Sequence, residues 1–178
     1  TKYPEKFFTD GISVAISRWR ENPELPTAGH KSIDYWSRIR ALQEASLINA
    51  GESIWLTPDA FIASGSVSNI FLIKNKIVHT PQSLDLQNPS IKSCVRPGIT
   101  RNCVIDISKQ SGLAVNTSPI TITDFLNSDE CFLTNSSWGV LPVVSVALRT
   151  IDSQKKEGIE NRFFGNGTPG SETMKIRK

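Results

Sequence analysis

Short apolar runs separated by polar turns recur along most of this 178-residue chain. From Ile12 to Ser17, large apolar residues alternate with the small residues serine and alanine, which is the period of a half-buried strand. Further short runs bounded by turn residues predict strands over 53–57, 70–73, 77–80, 113–115, 131–133 and 142–148. A polar stretch over 81–96 and the Gly-rich segment after residue 148 predict loops.

Three segments follow a helical pattern instead. Apolar positions at three- and four-residue steps predict a first helix from about Ser32 to Ile48. A second helix follows Pro97-Gly98 and ends at Gly112, and a third runs from Thr121 to Leu126. Mixed strands and helices on a common core predict an α+β fold, with a mixed sheet or partial barrel and flanking helices.

Composition narrows the classes of function. The chain is 38% hydrophobic and 21% charged, with a net charge of +3, which is typical of a globular protein and too weakly basic for a nucleic-acid interface. No apolar run approaches the roughly 20 residues that span a bilayer, so no membrane partner is expected. The three cysteines and two histidines are scattered. This spacing favours a cytoplasmic location and argues against a metal site.

Two loops are candidate anion sites. Gly98-Ile99-Thr100 opens a helix, where free N–H groups and the helix dipole attract negative charge. Thr100 could equally act as an ordinary cap of its own helix. Asn135-Ser136-Ser137 follows a predicted strand and offers a second nest of N–H groups, although an ordinary strand turn has the same composition.

Lys31 precedes the first helix, after a Pro- and Gly-rich approach. A lysine in such a place is usually exposed and inert. The alternative is an amine held in a cleft, where it can form a Schiff base with a carbonyl compound.

Six motifs together resemble class IV aminotransferases, the fold-type IV enzymes that use pyridoxal phosphate. They occur in the family's order: Lys31–Tyr35, Gln43–Ala45, Ser66–Phe71, Thr80-Pro81, Pro97–Arg101 and Asp129–Asn135, followed by Pro142-Val143. Within the family, Leu133–Ser136 with Gly139-Val140 is more similar to 4-amino-4-deoxychorismate lyases than to branched-chain transaminases. The resemblance covers roughly residues 3–170.

The resemblance assigns the site residues. It implies that Lys31 carries pyridoxal 5'-phosphate covalently and transfers protons. It also implies that Arg101 braces a turn without touching the ligand. The other implied cofactor-binding residues are Tyr35, Ser64, Gly98, Ile99, Thr100, Asn135 and Ser136.

Two departures from the family accompany these assignments. The family has a glutamate at the position of Ser64, where it keeps the ring nitrogen of the cofactor protonated. A hydroxyl cannot hold a cation there, so the ring would withdraw electrons more weakly. The family's first domain would also precede Thr1, so residues 1–30 are expected to be the end of an upstream domain or a linker, and residues 31–178 the cofactor-binding domain.

The first functional hypothesis is a lyase that eliminates pyruvate from a small amino substrate and leaves p-aminobenzoate for folate biosynthesis, acting as a homodimer. One alternative is a transaminase of branched-chain or D-amino acids. The other is a catalytically silent homologue that acts as a dimerising or binding module. Ser64 motivates it, together with the arginine that the family's first domain supplies to the phosphate and that this sequence does not contain at a matching position.

Overall fold

The computed structural model describes residues 3–88, 90, 92–151 and 157–178. Within these ranges one sheet contains nine strands: β1 (Ile12–Arg20), β2 (Glu52–Leu56), β3 (Ile62–Gly65), β4 (Asn69–Lys74), β5 (Ile77–Thr80), β6 (Ala114–Thr117), β7 (Glu130–Asn135), β8 (Gly139–Ile151) and β9 (Glu157–Phe163). The same ranges contain five helices: α1 (Lys6–Thr9), α2 (Trp36–Ser46), α3 (Ile99–Gln110), α4 (Ile122–Leu126) and α5 (Ser171–Arg177).

The strands follow the order β3-β2-β1-β8-β7-β4-β5-β6, and β9 pairs with β8. β1 runs parallel to both β2 and β8, and β5 runs parallel to β6. The remaining pairs, such as β4 with β7 and β7 with β8, are antiparallel. The predicted α+β class with a mixed sheet is therefore confirmed.

The N-terminal segment contributes a strand to the middle of this sheet. β1 lies between β2 and β8, so residues 12–20 share a core with the rest of the chain. The assignment of residues 1–30 to an upstream domain or linker stays a prediction.

Two local predictions were wrong. α2 begins at Trp36 and not at Ser32, because Tyr35 has a non-helical conformation as the N-cap. The segment after residue 148 is not loop alone, since β8 extends to Ile151 and β9 and α5 follow. β9 shows little hydrophobic pattern because its apolar side chains, Ile159 and Phe163, are 50% and 60% exposed. Hydrogen bonding along β8 holds β9 in place.

β4 carries the centre of the core because both of its faces are buried. Ile70 and Leu72 pack into one hydrophobic cluster, and Phe71 and Ile73 pack into another. A continuous apolar run is typical of a strand covered on both faces. The rings of Phe71 and Phe132, which pair across β4 and β7, stack with centroids 4.9 Å apart.

α5 covers the second of these clusters, which includes its buried Ile176. No helix among the described residues is long and apolar enough to cross a membrane.

Substitution of Phe132 by alanine tests the core. Phe132 is fully buried and stacked on Phe71, so we expect Phe132→Ala to lower the free energy of unfolding by about 3–5 kcal/mol. The control is Leu47→Ala, whose side chain is 82% exposed and whose effect should stay within about 0.5 kcal/mol. Urea unfolding measures both. Equal effects of the two substitutions would contradict this core.

Candidate functional site

A cleft of about 660 Å³ opens where several loops meet at strand ends and at the start of α3. Every site residue predicted from the sequence lines it: Lys31, Tyr35, Ser64, Gly98, Ile99, Thr100, Asn135 and Ser136. The structure thus brings together residues separated by up to about 105 positions along the chain.

The first turn of α3 forms one wall of the cleft. Its N-cap is Gly98, which has no side chain to cap the N–H groups that follow. A Cβ at Gly98 would collide with Oδ1 of Asn69, so any other residue here would require the Asn69 side chain to move. An uncapped helix start of this kind suits an anion, because its N–H groups and dipole point outward.

Arg101 braces this turn from inside. It is 4% exposed, and its Nη2 donates to the carbonyl of Pro81 at 2.9 Å. Burial lowers the pKa of its guanidinium. The predicted bracing role agrees with these contacts.

The hairpin turn between β7 and β8 forms another wall of the cleft. Oδ1 of Asn135 accepts hydrogen bonds from the N–H groups of Ser137 and Trp138, at 2.9 and 3.1 Å. Nδ2 of Asn135 donates to the carbonyl of Val67 at 3.2 Å. The Asn135 side chain therefore shapes the turn and ties it to the β3–β4 loop, while Ser136 lines the cleft beside it.

A buried carboxylate holds the β3–β4 loop, residues 66–68. Glu52 on β2 is fully buried and accepts hydrogen bonds from the N–H groups of Ser53, Ser66 and Val67 and from Oγ of Ser68, at 2.9–3.3 Å. Burial raises the pKa of the Glu52 carboxyl, and these four donors oppose the rise. Glu52 fixes the loop's shape from below the cleft.

Lys31 and Tyr35 lie on the segment that enters α2. Lys31 is exposed and lines the cleft. The hydroxyl of Tyr35 accepts a hydrogen bond from Nη2 of Arg96 at 2.8 Å, and the same nitrogen donates to the carbonyl of His30 at 3.3 Å. Arg96 thereby fixes the chain on both sides of Lys31.

Arg38 on α2 reaches the end of β3, at Ser64. Its Nη2 forms a 2.6 Å ion pair with Glu21, and both side chains are less than one-fifth exposed. Its Nη1 donates to the carbonyls of Gly65 and Ser66, at 3.0 and 3.1 Å, and lies 3.4 Å from Oγ of Ser64. The guanidinium therefore occupies the space beside the hydroxyl of Ser64.

The cleft carries an excess of positive charge. Lys31, Arg38 and Arg96 line it, against the acidic Glu21 and Asp34.

Among the described residues, the buried Oγ1 of Thr134 on the cleft wall has no hydrogen-bond partner. Burying an unsatisfied hydroxyl is unfavourable, so a polar ligand would find a donor or acceptor here.

Cys94 also lines the cleft, but burial and the nearby Glu21 raise the pKa of its thiol to about 11. The thiol therefore stays protonated near neutral pH and is a poor nucleophile.

Sequence reasoning missed Glu52, Arg38, Arg96 and Glu21. Arg38 follows Tyr35 by one helical turn, and this spacing was the only sequence signal for it. Arg96 immediately precedes the Pro97–Arg101 motif, whereas Glu52 carries no local signal, because its four donors come largely from residues 14 to 16 positions later.

Glu52→Gln tests the loop anchor. An amide in place of the carboxylate turns one acceptor into a donor and faces it toward other donors. We expect a loss of about 1–3 kcal/mol in the free energy of unfolding. Amide hydrogen exchange at residues 66–68 should also accelerate. Glu24→Gln, at a side chain 61% exposed in its ion pair with Lys92, is the control and should change neither quantity. Unaltered exchange at residues 66–68 in Glu52→Gln would contradict the anchoring role.

Known proteins resemble this chain in sequence and in fold. Branched-chain-amino-acid aminotransferase from Pseudomonas aeruginosa is 31% identical over 176 residues, which are 98% of this chain and 50% of that protein. Among solved structures, the branched-chain amino acid aminotransferase of Escherichia coli superposes with a TM-score of 0.80 and 26% identity, over 98% of this chain and 51% of that one.

A second solved structure is the T.th. branched-chain amino acid aminotransferase in complex with N-(5'-phosphopyridoxyl)-L-glutamate. It gives a TM-score of 0.76 and 25% identity, over 95% of this chain and 50% of that one. The chain therefore spans about half the length of the curated relatives it matches. The family model for amino-transferase class IV matches residues 1–146. This chain belongs to the class IV aminotransferase family.

Proposed function

We propose that this chain is the cofactor-binding part of a pyridoxal 5'-phosphate enzyme that acts on a small-molecule substrate with a primary amine. The observation that carries the proposal is the convergence of Lys31, the α3 N-terminus and the β7–β8 turn on one cleft. A lysine amine can bind an aldehyde covalently, and the two turns offer N–H groups to a phosphate.

The residues present fit this group. The uncapped start of α3, the positive charge of the cleft and the unpartnered Thr134 hydroxyl all suit a phosphorylated polar molecule. When bound, pyridoxal phosphate supplies a ring that stabilises negative charge on the carbon next to the substrate nitrogen. Lys31 would hold the cofactor and move the proton at that carbon, and Arg96 would keep Lys31 and Tyr35 in position.

The first candidate reaction is pyruvate elimination from an aminodeoxychorismate-like substrate, which leaves p-aminobenzoate. Ser64 and Arg38 support it, because neither offers a carboxylate that would keep the ring nitrogen protonated. A ring that withdraws electrons more weakly would stabilise less negative charge next to the substrate nitrogen, which disfavours transamination more than elimination.

The second candidate is an amino-acid transaminase. The names of the sequence relatives favour it, since they include branched-chain-amino-acid aminotransferases such as the Pseudomonas aeruginosa protein. The proposed homodimer and the role in folate biosynthesis rest on the family resemblance, and the proposed cytoplasmic location rests on the scattered cysteines. The third candidate is a catalytically silent homologue that serves as a binding module. The test of cofactor attachment at Lys31 distinguishes it from the two enzymes.

Lys31→Ala tests cofactor attachment. The natural full-length protein, mixed with pyridoxal phosphate, should show an absorbance band near the edge of the visible range that borohydride removes. Lys31→Ala should abolish the band and lower turnover on the order of 10²–10⁴-fold, because the proton-transfer base is gone. Lys109→Ala, an exposed lysine in the last turn of α3, should leave both unchanged. A band that survives in Lys31→Ala would contradict the assignment, and no band in the unmodified protein would indicate the silent homologue.

The products separate the two reactions. A lyase should release pyruvate from 4-amino-4-deoxychorismate without any added keto acid, because elimination regenerates the cofactor. A transaminase should instead require a keto acid and consume it in proportion to the amino acid. We expect pyruvate release alone, followed with a lactate dehydrogenase assay. Strict dependence on a keto acid would assign the protein to the transaminases.

A further inference from the structure

We propose that Arg38 and Ser64 keep the proton off the ring nitrogen of the bound cofactor, with Ser64 donating to that nitrogen and Arg38 acting as the positioning residue. The inference rests on the proposed function, because it concerns the cofactor bound in the same cleft. The half-buried guanidinium of Arg38 lies beside Ser64, an arrangement that the sequence did not indicate.

Arg38 is held by several independent contacts. Glu21 binds Nη2, the carbonyls of Gly65 and Ser66 bind Nη1, and the indole ring of Trp55 lies beneath the guanidinium, whose Cζ is 5.2 Å from the ring centroid. The guanidinium side chain is 17% exposed. Its position is thus set by the surrounding structure and does not depend on a ligand.

The hydrogen-bonding capacity of the Arg38 guanidinium and of the Ser64 hydroxyl decides where the hydroxyl hydrogen points. A guanidinium has five N–H donors, no acceptor, and does not lose its proton in proteins. Nη1 of Arg38 lies 3.4 Å from Oγ of Ser64 and cannot accept a hydrogen bond from it. The Ser64 hydroxyl hydrogen is then directed away from Arg38, and Ser64 also lines the cleft.

A ring nitrogen that faces Ser64 can accept this hydroxyl hydrogen. It can accept only with its lone pair free, which excludes a proton on that atom. The charge of Arg38 acts in the same direction, because a nearby cation disfavours a second positive charge. Glu21 offsets part of the charge of Arg38 through their ion pair. The guanidinium lies between Glu21 and Ser64, so the group next to Ser64 is the guanidinium and not the carboxylate.

The same geometry predicts how substitutions behave. Ser64→Glu alone would place a carboxylate beside Arg38, where the guanidinium binds it and limits its effect on the ring nitrogen. Ser64→Glu combined with Arg38→Met removes that competing cation, so the carboxylate can hold a proton on the ring nitrogen. Two changes are needed because two residues exclude the proton.

The test is ¹⁵N NMR of the natural full-length protein loaded with pyridoxal phosphate labelled at its ring nitrogen. The unmodified protein should give the resonance of a neutral pyridine nitrogen. The Arg38→Met/Ser64→Glu variant should shift it far upfield, to the position of a protonated nitrogen. Arg40→Met is the matched control on α2, because Arg40 is 49% exposed and pairs only loosely with Glu44, at 4.0 Å; it should give the unmodified resonance.

A protonated signal in the unmodified protein would overturn the inference while leaving the proposed cofactor in place. A neutral signal that persists in the double variant would show that Arg38 and Ser64 do not determine the protonation state. Failure of the unmodified protein to take up the cofactor would instead overturn the proposed function, and the inference with it. If the double variant does not fold, the resonance of the unmodified protein still decides whether the ring nitrogen is neutral.

Discussion

The register between β4 and β7 is the constraint on which the cleft depends. Asn69, the first residue of β4, pairs with Thr134 near the end of β7, so the loop before β4 and the turn after β7 must lie side by side. Asn69 extends this junction to a third segment, since its Nδ2 donates to the carbonyl of Arg96 at 2.9 Å and its Oδ1 abuts Gly98. A slip of one residue would turn the side chains of β4 to the opposite faces and dismantle all three contacts.

Side-chain hydrogen bonds then give the loops their shape. Glu52 lies beneath residues 66–68, and Asn135 closes its own turn while holding the carbonyl of Val67. Loops of this composition are normally adaptable, but each of these has a fully or partly buried hydrogen-bonding centre. The cleft is therefore formed before any ligand arrives, which lowers the entropy that binding must offset.

The two ends of the cleft differ in the groups they present. At the start of α3 and at the β7–β8 turn, backbone N–H groups and small side chains suit a phosphate. At Ser64, a guanidinium ion-paired with Glu21 supplies positive charge and hydrogen-bond donors. A family member with a carboxylate at this position would present an acceptor instead. The difference bears on how strongly the ring can withdraw electrons, and so on which reaction of the family is favoured.

Local patterns in the chain were enough to predict the α+β class, most strands, and α3 and α4, and the family resemblance supplied eight of the residues that line the cleft. These patterns are apolar runs, the Gly98 helix start, and motifs carried in a fixed order. They did not reveal β9 and α5, because β9 is held by hydrogen bonds to β8 and exposes its apolar side chains, while α5 is a short basic segment.

The surroundings of Ser64 came from the folded structure alone. The sequence identified the missing glutamate, but Arg38 lies 26 residues away and Glu21 a further 17 from Arg38. Their meeting depends on how α2 packs beside β1 and β2, which no local pattern encodes. Charge and hydrogen-bond direction at a site depend on side chains that converge through packing, and for this reason the local electrostatics could not be read from the chain.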